Sequence, residues 1–133
     1  MKAIYFDHEN PEKGYRAVDI EDKLMTYSNL LHCDLIDITM RAIGGKNYNI
    51  IVDDEGFYNS PNAISALNPY DRECVLVGSL LIVSGEVDEE GGTLGLKDEE
   101  IEQILHNVIP YFYKSDDRTE IRSLLKIDWK RWN

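Results

Sequence analysis

The chain has 133 residues, with 14 Lys and Arg against 25 Asp and Glu, a formal net charge of −11 and a pI of about 4.6. That length suits one domain with its own core, and 43% hydrophobic residues exclude a disordered chain. The longest apolar run, residues 75–83, is broken by Gly78 and Ser79 and falls far short of a membrane span. The start meets charge at Asp7 and holds no apolar signal core, and Cys33 and Cys74 make no disulfide framework, so a soluble, cytoplasmic protein is expected.

In chain order, KAIYF at residues 2–6 predicts a strand. Asn10, Pro11 and Gly14 supply turn chemistry, and YRAVDI at 15–20 predicts its hairpin partner. Asp19 is placed to cap a helix over 21–31, in which Leu24, Tyr27, Leu30 and Leu31 fall at helical spacing. The period then changes: Ile36, Ile38 and Met40 alternate with Asp37, Thr39 and Arg41, as in a strand with one wet face. Gly44-Gly45 turns the chain into a second hairpin with YNIIV at 48–52. Asp53 to Gly56 form the next turn, where Asp53 and Asp54 serve as turn residues. Ser60 and Pro61 then open a short helix with Ala63, Ile64 and Leu67 inward.

CVLVGSLLIV at 74–83 predicts one central strand, with Gly78 a bulge or close approach. An acidic, glycine-rich loop covers 84–95. The clearest helix runs over 98–108, with Ile101, Ile104, Leu105 and Val108 at i, i+3, i+4 and i+7 and three acids in its first turn. A last helix is expected over about 117–129, with Ile121, Leu124 and Leu125 inward. These elements predict a single α+β domain: a mixed, mainly antiparallel sheet with two packed helices and an added C-terminal helix. The core domain spans 1–113 and a helical extension 114–133.

Recognisable catalytic chemistry is missing. No GxxxxGK[ST], GxGxxG or GxSxG occurs, and His8, His32 and His106 share no metal-ligand spacing. His32 and Cys33 are neighbours whose side chains should point apart. Glu86, Asp88 and Glu90 imitate the first half of a calcium loop, but its twelfth position is Lys97. No enzyme activity, catalytic residue, cofactor or metal is therefore expected.

The segments IIVDDEGFYNSPNAISAL, LVGSLLIVSG and LGLKDEEIEQIL resemble a family of small proteins, domain of unknown function 3846, over about residues 1–109. The positions that carry the resemblance are Asp54-Glu55-Gly56, Pro61-Asn62-Ala63, Val77-Gly78 and Asp98 to Ile101. It implies a setting in bacteriophages, plasmids and integrative elements, and supplies no agreed activity. Lys97 stands where the family often has a hydroxyl cap, so Asp98 is expected to cap the helix. The tail from Lys114 lies outside the resemblance.

Within residues 86–102 stand eight acids, Glu86, Asp88, Glu89, Glu90, Asp98, Glu99, Glu100 and Glu102, with one base, Lys97. Such a stretch repels phosphate backbones, so no direct nucleic-acid contact is expected; it either solvates the surface or attracts a basic partner. Trp129 and Trp132, at i and i+3, either dock on the domain or form an interface, a homodimer being one form of it. The leading functional expectation is a binder that inhibits a host defence nuclease or CRISPR effector through its acidic surface, as anti-CRISPR or antirestriction proteins do. An accessory regulator or adaptor of a mobile element, or a nucleotide-binding protein, are the alternatives.

Overall fold

The computed structural model describes residues 1–59, 63–68, 74–115 and 118–128, the side chains at 74–75, 111–115 and 118–122 excepted. Among the described residues, nine strands and three α-helices run in the order β1 (Lys2–Phe6), β2 (Arg16–Asp19), α1 (Leu24–Leu31), β3 (Ile36–Ile43), β4 (Lys46–Asp53), α2 (Gly56–Asn59), β5 (Ile64–Leu67), β6 (Cys74–Val77), β7 (Leu80–Ser84), α3 (Asp98–His106), β8 (Val108–Ser115) and β9 (Arg118–Lys126), with a 3-10 turn at Pro11–Lys13 between β1 and β2. The fold is α+β, but in two sheets rather than one. The first is antiparallel throughout, in the order β2-β1-β7-β4-β3; the second is β6-β5-β9-β8, with β5 and β9 parallel.

Side-chain alternation in the first sheet builds a core on each face. Ile4, Phe6, Tyr48, Ile50, Leu80 and Ile82 share one core with Ile104 of α3 and with Ala66, Leu76, Leu125 and Ile127. Ala3, Tyr5, Ile51, Leu81 and Val83 face the other way, against Tyr27 and Leu31 of α1. Burying both faces explains why β7 is apolar at four successive positions.

Both predicted hairpins form, β1 with β2 and β3 with β4. Gly44 and Gly45 make the second turn with φ of 59° and 86°, values that favour glycine. Helix α1 starts three residues later than expected, at Leu24, because Asp19 binds the chain's own ammonium terminus at 2.8 Å rather than capping the helix. Helix α3 begins at Asp98 as expected, yet Asp98 is not its cap. Lys97 occupies the cap position, and Glu100 reaches back to accept the Lys97 amide at 2.9 Å.

Three expectations fail for identifiable reasons. The run at 74–83 is not one strand. Gly78, at φ 78°, passes the chain from β6 in the second sheet to β7 in the first. Ile64 and Leu67 belong to strand β5, not to a short helix; Ser60, Pro61 and Asn62 lie outside the described residues. The C-terminal helix is replaced by β9, paired with β8 along its length and with β5 at Ala66 and Leu67. Leu124 and Leu125 are both buried, so this strand shows no clean period of two and its apolar residues mimic helical spacing. The boundary expected at residue 113 falls inside β8, and Leu125 and Ile127 beyond it join the principal core.

Candidate functional site

Helix α3 is fastened to the first sheet by polar contacts along one side. Lys46 on β4 pairs with Glu100 at 3.0 Å, the Tyr48 hydroxyl donates to Gln103 at 2.7 Å, and the Gln103 amide donates to the Gly44 carbonyl at 2.6 Å. Near its start, Lys2 on β1 pairs with Asp98 at 2.6 Å. That hydrogen bond and the Asp98 charge push the Lys2 ammonium above its ordinary range, and the bond to Glu100 does the same for Lys46.

Between the opposite side of α3 and edge strand β2 runs an open groove of about 500 Å³. Ala17 on β2 forms one apolar wall, while the Val18 side chain packs against the core on the α1 side; Ile101 and Leu105 form the other wall. Asp19, Asp98 and Glu102 stand on its rim, and the cation among its lining residues is Lys2, already engaged by Asp98. A carboxylate rim over apolar walls suits a cationic side chain with an aliphatic stem, and it disfavours phosphate.

The eight acids expected to act together divide by task. Glu100 is 6% exposed and structural: burial alone would raise its carboxyl, but the Lys97 amide and the Lys46 ammonium hold it below its ordinary range. Asp98 is held by Lys2. Asp88 folds into its own loop, accepting the Glu90 and Gly92 amides at 2.9 and 2.7 Å, below a bridge between Val87 and Thr93. Glu86, Glu89, Glu90, Glu99 and Glu102 are exposed and make no ion pair with a described residue. Trp129 and Trp132 lie outside the described residues.

A second cluster was not anticipated, because its members come from separate elements. His32 ends α1 as its cap, in the left-handed region at φ 56°. Its Nε2 lies 3.3 Å from Asp7 Oδ1 and 3.7 Å from Glu9 Oε2, in the connection after β1. The rings of His8 and His32, which share no metal-ligand spacing in the sequence, meet edge to face at 6.2 Å. His8 Nδ1 is 2.7 Å from the buried Ser79 hydroxyl, which also accepts the His8 amide at 3.0 Å. Burial pushes the Asp7 carboxyl up, but the bonds from Asn10, the Glu9 amide and His32 outweigh it and leave the group below its ordinary range. The one sequence signal was the short D-H-E stretch after an apolar strand. Cys33, by contrast, turns its Sγ to the Leu35 carbonyl at 3.3 Å, and burial raises its thiol, with Asp53 and Asp34 adding to the effect.

Among the described residues, no helix is long and apolar enough to cross a membrane. No curated protein and no solved structure matches the chain. A family profile described as a domain of unknown function, DUF3846, matches residues 1–109. The match takes in the whole first sheet, helix α3 and both walls of the groove, and on it the chain belongs to the DUF3846 family.

Proposed function

We propose that the protein acts by binding a basic protein surface, without catalysis, through the groove between β2 and α3 and the exposed carboxylates around it. The observation that carries this reading is the pairing of apolar walls, Ala17, Ile101 and Leu105, with a carboxylate rim on which Asp98 is paired with Lys2 and Asp19 with the terminal ammonium, while Glu102 is exposed and in no ion pair with a described residue. A lysine or arginine side chain satisfies both halves at once, its stem on the walls and its head at the rim. Glu99 and Glu102 are exposed on α3, and Glu89 and Glu90, exposed in the loop before it, add to the overall negative field that speeds encounter with a positive partner.

In the phage or mobile-element setting that the family resemblance implies, the partner of this chemistry is the basic nucleic-acid groove of a host defence nuclease or CRISPR effector, met in the bacterial cytoplasm. Occupying that groove inhibits the effector, as anti-CRISPR and antirestriction proteins do. The acidic rim counts against the nucleotide-binding alternative. The test is competition: the protein is titrated into defence effectors loaded with labelled DNA or RNA. Displacement by the wild type, lost in a Glu99→Lys, Glu102→Lys variant that folds normally, supports the reading. No displacement from any effector at low salt contradicts it.

A further inference from the structure

We propose that Asp7, Glu9 and His32 form a binding site for a single divalent transition-metal cation of the zinc class. One ligand atom from each residue lies within 4.8 Å of the others. The two separations to His32 Nε2, 3.3 and 3.7 Å, are informative. A charge-assisted N–H···O bond closes to about 2.7–2.9 Å. Tetrahedral ligands about 2.0–2.2 Å from a metal stand roughly 3.3–3.6 Å from one another. The 3.3 Å separation to Asp7 matches the spacing of two ligands on one cation and the 3.7 Å separation to Glu9 lies just beyond it, so a small inward movement of Glu9 would complete the set.

Two of the three ligands are held in place, while Glu9 is exposed and free to move onto an ion. Asp7 has a side chain only 12% exposed, and its carboxylate is oriented by the Glu9 amide on Oδ1 at 3.0 Å and by the Asn10 amide on Oδ2 at 2.8 Å. Hydrogen-bonded carboxylates of this kind are the usual outer-shell support of metal ligands. His32 is presented by the end of α1 in a left-handed conformation, where it is the one non-glycine at positive φ among the described residues.

The donor set selects the metal. One neutral imidazole and two carboxylates balance a charge of +2, and imidazole favours zinc-class ions over magnesium or calcium. Three protein ligands leave a fourth position to solvent or to a partner's side chain. A bound ion would join the connection after β1 to the end of α1 and so clamp that helix to the sheet.

The full chain, stripped with a chelator, is titrated with Zn²⁺ by calorimetry and with Co²⁺ by visible absorption. One Zn²⁺ per chain, tetrahedral Co²⁺ bands and a rise in Tm with Zn²⁺ are expected. His32→Asn keeps a residue that tolerates the left-handed region and should weaken Zn²⁺ binding at least tenfold, as should Asp7→Asn. Controls at the other soft ligands, Cys33→Ser and His106→Asn, should bind as the wild type does. Absence of saturable binding by the folded wild type overturns the proposal, and so does a His32→Asn variant of unchanged affinity. Should Asp7→Asn fail to fold, His32→Asn decides alone.

Discussion

Glu100 on α3 and Lys46 on β4 form an ion pair at 3.0 Å, with the carboxylate side chain 7% exposed and the ammonium side chain 47% exposed. The same carboxylate takes the Lys97 amide at the start of the helix. One side chain thus caps α3 and ties it to the sheet, which fixes one wall of the groove. Glu100→Ala should cost about 1–3 kcal/mol, since it removes a buried charged acceptor from a part-buried amide and an ammonium. Because the folded carboxyl lies below its ordinary 4.5, its stabilisation is present above that value and is lost as pH falls through the folded one. Denaturant melts of wild type and variant should keep a constant gap near neutrality and converge in acid. A gap that persists at the lowest pH contradicts this role.

Ile104 is fully buried in the principal core, between α3 and the strands. Ile104→Ala should cost about 2–5 kcal/mol in equilibrium denaturation. A loss below about 0.5 kcal/mol would place this helix face outside the core.

Gly78 carries the chain between the two sheets at φ 78°, and its amide donates to the Ala63 carbonyl at 2.7 Å. An L side chain in that region costs roughly 1–2 kcal/mol. Gly78→Ala should lower Tm accordingly, whereas Gly78→Asn should lower it less. Equal and negligible effects from both substitutions contradict the corner.

Asp128 closes the β3–β4 turn from the far end of the chain. Its carboxylate accepts the Gly44 and Gly45 amides at 3.1 and 2.6 Å, and its own amide donates to Ala42 at 2.8 Å. Ile127 beside it is 4% exposed. Asp128→Ala should cost about 1–3 kcal/mol, and deletion of 127–133 more, both read by thermal melting. A deletion that leaves Tm unchanged contradicts the docking of Ile127 and Asp128.

Local pattern predicted much of this architecture. Alternation at Ile36, Ile38 and Met40, the Gly44-Gly45 turn and the apolar stripe through Ile104 each reflect short-range chemistry, and each element forms, although Ile38 and Met40 on edge strand β3 are exposed instead of forming its dry face. What the pattern missed depends on long-range pairing. The switch of sheet at Gly78 and the strand at 118–126 are decided by partners far along the chain, Leu125 against Ala66 among them. The candidate sites divide the same way. The acidic run was plain in composition, but the burial of Glu100 and the groove walls from Ala17 and Leu105 depend on how α3 meets β2. Asp7 and His32 are 25 residues apart and share no motif spacing.

Capture of a basic partner by the exposed carboxylates of α3 and of the loop before it is read from the association rate against ionic strength for wild type and a Glu89→Lys, Glu90→Lys, Glu99→Lys, Glu102→Lys variant. These four glutamates are exposed and outside the ion pairs that hold the fold, so the variant should melt within about 0.5 kcal/mol of the wild type. With the defence effector that the wild type displaces from nucleic acid, wild-type association should slow steeply with salt. The variant should associate at least tenfold more slowly at low salt, with little salt dependence. Equal rates and equal salt slopes for the two proteins would contradict this capture and move the binding surface away from these carboxylates.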